Sequence, residues 1–412
     1  MKSPVPDYLL EVVDAVRGAD GGAVADYIPQ LAEASEETLA IALTTVNGHT
    51  HAAGDANVEF SIQSISKPFA YAAAIMDRGL ERVLRTVGVE PSGEAFNELS
   101  LETGTHRPKN PMINAGAIAT HQLLVGEEAD EDARVERVLD FFSRLAGRAL
   151  AVDRAVYESE MATADRNFAI AHMLRTYGVI SGGAHDVVDG YTRQCSIMVA
   201  ATDLSVMAAT LACGGVQPVT GERVVDAATA RHTLAVMAGS GMYDAAGSWL
   251  TTVGIPAKSG VAGGLIGALP GQVGIGAVSP RLDSHGNSVR GVKMFERLSR
   301  DMGMHLMQPS RGRSTPVRDV RLEGDRTVYE LQGAVDFTDA EVVVEQLSND
   351  VGAGRVVLDT TRVDHFTDVG RRVVLEGLRR VRLDGRPVSL VDPAGTLPDP
   401  DLGDGSYPET RA

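Results

Sequence analysis

The sequence predicts two folded units of mixed α/β (α+β) class: an antiparallel sheet carrying helices, then a small separate α/β domain. Three observations point there. Leu39 to Val46 alternates as a strand does, Asn47-Gly48 is a two-residue hairpin turn, and a return strand begins at His49. Residues 259–280 carry no charge, yet seven glycines and a central Leu269-Pro270-Gly271-Gln272 turn divide them into two short buried strands rather than one membrane span. After a Pro-, Gly-, Ser- and Arg-rich stretch from Gln308 to Pro316, strand and helix patterns alternate as far as Val391.

Composition narrows the chemistry. At 412 residues the chain can bury more than one core, and 44% hydrophobic with 23% charged residues is ordinary for a globular protein. A net charge of −17 and a pI near 5.0 leave no basic footprint for nucleic acid or an anionic membrane, so a small molecule is the expected partner. Only Cys195 and Cys213 are present, outside any Cys-x-x-Cys pattern, and Met1 to Asp7 lacks the apolar core of a signal peptide. A cytoplasmic location is the expectation.

The elements follow in order. Pro6-Asp7 opens a helix with Leu9, Leu10, Val13 and Val16 at helical spacing, closed by Gly18. Ala23 to Pro29, including Tyr27, reads as a loop. His49 and His51 would share a strand face, but two histidines without a third ligand are no metal site.

Phe60 to Phe69 then reads as a strand arriving at a helix start, because Pro68 fits only a first helical turn; the alanine-rich run continues to Gly79. Ser64 and Lys67 are thereby three residues apart on one face, close enough for an amine to take the hydroxyl proton. Capping by Ser64 or Ser66 is the competing account. The chain holds only five lysines against 33 arginines, and lysine, unlike arginine, can serve as a base when desolvated.

Pro108 to Ile118 marks another helix start, with Asn114 placed to cap it. Residues 127–132 are acidic and lead a solvated helix through Val135, Leu139 and Phe142. Tyr157 to Glu160 and Asp165 to Phe168 bracket a short connection into a helix with Ile170 and Leu174, Asp165 being a plausible cap and Glu160 a surface carboxylate. Asp203 to Leu211 is helical and stops at Gly214-Gly215. Lys258-Ser259-Gly260 follows as a strand edge, with glycines that let backbone approach a ligand. In the second unit, strands near 327–331, 356–359 and 388–391 alternate with helices near 339–347 and 368–381; the proline- and aspartate-rich tail from 393 is expected to be poorly ordered.

Taken together these stretches resemble the serine-dependent glutaminases, relatives of the serine β-lactamases. The resemblance rests on Tyr27-Ile28-Pro29-Gln30-Leu31-Ala32, Gln63-Ser64-Ile65-Ser66-Lys67, Asn110-Pro111-Met112-Ile113-Asn114-Ala115-Gly116-Ala117-Ile118, Asp165-Arg166-Asn167-Phe168-Ala169-Ile170, Val206 to Ala212, Gly241-Met242-Tyr243-Asp244 and Pro256 to Gly264. It implies a β-lactamase-like domain, an antiparallel sheet flanked by helices plus a helical subdomain, over residues 1–307, with a linker at 308–316. It also implies hydrolysis of L-glutamine to L-glutamate and ammonia with no metal or other cofactor, and a homo-oligomer. Ser64 would attack the side-chain amide, Lys67 would take its proton, and Tyr27 and Tyr243 would border the nucleophile. The amides of Ser64 and Val261 would form the oxyanion hole. Glu160 would hold the substrate ammonium, Asn114, Asn167 and Tyr191 its carboxylate, and Gln63 would help fix it; Lys258, Ser259 and Gly260 would line the site.

Residues 317–392 resemble the STAS fold through Leu331 to Asp336, Val357-Leu358-Asp359 and Phe366 to Gly370. Asp368 stands where that family usually carries a phosphorylatable serine, which leaves docking of a protein partner or self-association as the implied role. Two rivals remain open on sequence alone: a β-lactamase, whose Ser-Asp-Asn motif is missing here, and a catalytically silent glutamine sensor signalling through the STAS-like unit.

Overall fold

The computed structural model describes residues 5–94, 98–126, 128–308, 315–335, 337–350, 352 and 354–411. The chain divides into two compact units between Gln308 and Pro309. Most of the stretch read as a linker lies outside the described residues, as do Glu127 of the acidic run and Asp336 of the STAS-like motif.

The first unit is built on β1 (Ala40–Thr45), β2 (Thr50–Gly54), β3 (Phe60–Ser61), β4 (Met198–Val199), β5 (Ala257–Ser259), β6 (Gly264–Leu269) and β7 (Val273–Val278). Five of these form one sheet in the order β2-β1-β7-β6-β5, every neighbour antiparallel, while β3 and β4 pair separately. Both 259–280 strands are buried throughout, as their lack of charge required.

Alternation assigns each face a covering layer. Ile41, Leu43, Ile275 and Ala277 point to the face packed by the Val5–Arg17 and Val289–Met302 helices through Leu9, Val13, Phe295 and Leu298. On the other face β7 presents Gly274 and Gly276, and the Ala201–Ala212 helix lies directly on them. A methyl group at Gly274 would stand 2.0 Å from the Ala209 backbone nitrogen, so glycine sets that spacing.

Beyond that face lie the helices Ser66–Arg78, Asn114–His121, Glu131–Ala146, Arg154–Ala162, Asp165–Thr176, Ala184–Cys195 and Ala227–Ser240. Gly79, with a positive φ, ends the Ser66–Arg78 helix where the sequence placed its stop. Residues 157–160 fall within the Arg154–Ala162 helix rather than at the edge of a connection, because Asp153 caps that helix by accepting from the Val156 amide.

The second unit is a five-stranded sheet of β8 (Val317–Glu323), β9 (Arg326–Val335), β10 (Arg355–Phe366), β11 (Val388–Val391) and β12 (Glu409–Arg411), ordered β12-β11-β10-β9-β8. Only β8 is antiparallel to its neighbour. The helices Phe337–Asn349 and Asp368–Leu383 supply the crossovers that parallel pairing demands.

The tail after residue 392 differs from expectation. Asp392 accepts from the backbone amides of Thr396 and Leu397 and from the hydroxyls of Thr360 and Thr396, folding the chain back so that Leu397 and Leu402 enter the core and β12 joins the sheet. Polar composition concealed two buried leucines. Among the described residues no helix is long and apolar enough to cross a membrane, and no group of three or more His, Cys, Asp or Glu gathers as a metal site would need.

Candidate active site

Ser64 lies in a tight turn, Gln63–Ile65, between β3 and the Ser66–Arg78 helix. The turn is anchored where Ile62 donates its amide to the Ile197 carbonyl at 2.8 Å, beside the β3–β4 pair. Gln63 takes φ +51°, a left-handed conformation that costs a side-chain-bearing residue on the order of 1 kcal/mol. No serine side chain caps the helix, so the capping account of Ser64 and Ser66 is set aside.

Lys67 follows in the first helical turn and is completely enclosed. Its Nζ donates to Asn114 Oδ1 at 2.7 Å, and Asn114 Nδ2 donates in turn to Asn167 Oδ1 at 3.0 Å. Asn114 was expected to cap its helix; Ile113 occupies that position, and the asparagine side chain is spent on the lysine. Asp165 likewise is the first helical residue after the cap position Ala164. Burial pushes the Lys67 amine down to about 7, against an upward pull from Cys195.

From the sheet side come Lys258 and Tyr243. Lys258 Nζ donates to the Tyr243 hydroxyl at 2.6 Å and to the Ser259 carbonyl at 2.7 Å, and the Tyr243 hydroxyl is also hydrogen-bonded to Ser64. Lys258 is pulled well below the usual lysine range, first by burial and then by the charge of Lys67; burial raises Tyr243 above the usual tyrosine range. Tyr243 is a second left-handed residue, at φ +55°. Two buried amines thus flank a serine–tyrosine pair, and mutual repulsion disfavours charging both. Gly260 brings the strand edge against the turn: a methyl there would stand 3.2 Å from the Ile62 carbonyl and 3.1 Å from Ile65, and Val261 comes next in the chain. The Ser259 Oγ is buried without a hydrogen-bond partner among the described residues.

A cavity of about 330 Å³ opens beside Ser64, lined by Tyr27, Gln63, Asn114, Glu160, Asn167, Tyr191, Cys195 and Val261 among others. That volume suits a single amino acid. Glu160, on the Arg154–Ala162 helix, is no surface carboxylate: its Oε1 accepts from the Tyr27 hydroxyl and from Gln63 Nε2, both at 2.9 Å. Burial raises its pKa, opposed by those two hydrogen bonds. The ring of Tyr27 is half exposed while its hydroxyl turns inward, where burial and then the Glu160 charge raise its pKa. Tyr191 is enclosed and hydrogen-bonded to the Cys195 thiol, and burial raises its pKa too.

Of the residues the resemblance named, Tyr27, Gln63, Ser64, Asn114, Glu160, Asn167, Tyr191 and Val261 line this cavity, Lys67 and Tyr243 bond to residues that do, and Lys258, Ser259 and Gly260 stand behind them on the strand edge. Cys195 was considered only for disulfides or metal, yet burial at the cavity wall pushes its thiol up to about 11. It stands four residues after Tyr191 on the Ala184–Cys195 helix, so helical periodicity could have found it. Arg166 also reaches the cavity wall, and one of its bonds is an exposed ion pair with Glu98 at 3.1 Å.

Similarity to known proteins extends over both units. Residues 22–307 match the Glutaminase family model and residues 318–399 match the STAS domain. The chain is 55% identical to the glutaminase of Corynebacterium efficiens over 98% of this chain and 96% of that one, and 54% identical to the glutaminase of Corynebacterium glutamicum over 99% of both. Among solved structures, the crystal structure of a protein named Mglu superposes with a TM-score of 0.88 at 55% identity, covering 96% of this chain and 99% of that one.

Proposed function

This chain belongs to the glutaminase family, and we propose that it releases ammonia from L-glutamine through a covalent seryl ester formed at Ser64. The observation that carries the reading is Ser64 hydrogen-bonded to Tyr243, with the enclosed Lys258 donating to the same hydroxyl and the enclosed Lys67 5.7 Å from the centre of its ring.

Lys67, brought down to about 7, is in large part a neutral amine at physiological pH and can accept the Ser64 proton as Oγ attacks the substrate's side-chain amide carbon. The tetrahedral oxyanion is met by the amides of Ser64 and Val261, on the turn and on the strand edge that Gly260 holds close. Tyr243, hydrogen-bonded to Ser64, passes a proton to the departing ammonia, with Lys258 donating to its hydroxyl. Water then hydrolyses the ester with the same groups in reverse.

Glu160 holds the α-ammonium, while Asn114, Asn167 and Tyr191 offer neutral donors to the α-carboxylate. Enclosing a zwitterion is tolerable only when each charge has such a partner. Gln63 and Tyr27 keep Glu160 in place.

The decisive test is Ser64→Ala with hydroxylamine trapping. The intact chain should partition part of its product to γ-glutamyl hydroxamate, and the variant should lose turnover by on the order of 10⁴-fold. Ammonia release persisting in the variant would remove the mechanism.

For the second unit we propose docking of a protein partner or self-association. Asp368 begins the Asp368–Leu383 helix with a permanent carboxylate, and Thr367 caps it. Light scattering of the full chain beside a chain ending at Gln308 tests self-association; the same number of subunits per particle in both would exclude it.

A further inference from the structure

A run of enclosed polar side chains leads away from the Ser64 turn, and none of it contacts the cavity's amino-acid space directly. Ser66, between nucleophile and lysine, has no exposed surface and accepts from Gln194 Nε2 at 2.9 Å. Gln194 turns its amide oxygen to His121 Nδ1 at 3.0 Å, and the other ring nitrogen of His121 stands 2.5 Å from Glu131 Oε1. Arg134 holds the far oxygen of Glu131 at 3.3 Å. Ser66 is also hydrogen-bonded to the Cys195 thiol, which in turn meets Tyr191.

The bond directions are set by chemistry. The Glu131 carboxylate can only accept, so Nε2 of His121 donates to it, and Nδ1 meets the side-chain amide of Gln194. The Gln194 amide is oriented with its nitrogen toward Ser66. Space is reserved for the pair: a methyl at Gly190, next to Tyr191, would stand 1.5 Å from Glu131 Oε1 and 2.4 Å from His121 Nε2. His121 also ends the helix that begins with Asn114, so this one eight-residue helix reaches Lys67 from its first residue and, through Gln194, Ser66 from its last.

We propose that His121 is a positioning residue for the reaction: anchored by Glu131, it acts through Gln194 and Ser66 to hold the Ser64–Lys67 turn and the Tyr191–Cys195 wall in register. This rests on the reading that Ser64 and Lys67 carry the chemistry. A misplacement of about 1 Å at such a site can cost about a hundredfold in rate, so a partial loosening should cost about tenfold.

Two substitutions separate the catalytic link from the stabilising one. His121→Asn keeps a donor near the Nδ1 position, toward Gln194, and loses Glu131; His121→Gln keeps a donor near Nε2, toward Glu131, and loses Gln194. Ser66→Ala cuts the last link without disturbing the His121–Glu131 contact. With L-glutamine, His121→Gln and Ser66→Ala should each lower kcat about tenfold with KM within about threefold, whereas His121→Asn keeps kcat within about threefold and takes the larger fall in Tm. Wild-type kcat in Ser66→Ala, or a kcat loss in His121→Asn equal to that in His121→Gln, would overturn the assignment. Ser64→Ala serves as the control. Turnover surviving it removes the mechanism on which this proposal rests, whereas loss there beside a fully active Ser66→Ala removes the His121 assignment alone.

Discussion

Glu160→Gln isolates one charge without altering shape. Both donors to Glu160, the Tyr27 hydroxyl and Gln63 Nε2, fall on the same oxygen, Oε1. An amide oxygen can accept both, so the side chain keeps its place and only the negative charge is lost. On the proposed binding mode that charge faces the substrate ammonium in a partly enclosed cavity. Hydrogen bonds to charged groups contribute about 1.5–3 kcal/mol, and removing one partner of a buried pair costs about 2–5 kcal/mol. Taking about 2–3 kcal/mol, kcat/KM for L-glutamine should fall about 30- to 150-fold, at 1.4 kcal/mol per tenfold. The loss should sit in KM, because the ammonium lies away from the reacting amide and is held alike in ground and transition states. Ammonia release measured on L-glutamine and on its analogue lacking the α-amino group completes the comparison. The wild-type chain should discriminate strongly against the analogue and the variant hardly at all. An unchanged KM for glutamine, or an equal loss on both substrates, would refute the role of Glu160.

Three further outcomes follow from the same structure. With Lys67 at about 7, kcat/KM should climb as pH rises through about 7, since the base must be unprotonated, and level off above it; a flat profile from pH 6 to 9 would exclude Lys67 as the base. Because Lys67 sits below its unfolded value, the unfolded chain binds more protons between about 7 and 10.5, so its contribution to stability rises with pH across that window; Lys67→Met should lessen the rise of Tm with pH there, Lys258 supplying the part that remains, and an unchanged rise would refute the lowered amine. Gly274→Ala drives a methyl to 2.0 Å from the Ala209 backbone and should destabilise by more than about 3 kcal/mol in denaturant unfolding, whereas a loss below about 1 kcal/mol would mean the helix can shift off the sheet.

Much of the architecture could be read in advance because its signals are local. The Asn47-Gly48 turn, the uncharged 259–280 run and the Gly79 stop each carry their cause within a few residues. The site was harder, because its logic is between elements. Asn114 looks like a cap in any local reading, and only the fold brings Lys67 to it from 47 residues away. Glu160 sits on a charged, partly exposed helix, and its enclosure comes from Tyr27, which is 133 residues distant in the chain. Gly190 carries no turn signal at all; its reason is the His121–Glu131 pair on neighbouring helices. The tail misled for the opposite reason: its polar residues are visible locally, while the sheet edge that receives it is not.

Gln63 and Tyr243, one beside the nucleophile and the other bonded to it, both hold left-handed backbone. Glycine would relieve about 1 kcal/mol of backbone strain at either position, but it would empty the space of an enclosed side chain and break its hydrogen bonds, which at Tyr243 costs about 3–5 kcal/mol. A library selected for heat resistance should therefore keep both residues: the chemistry they serve is carried along by the packing that holds them.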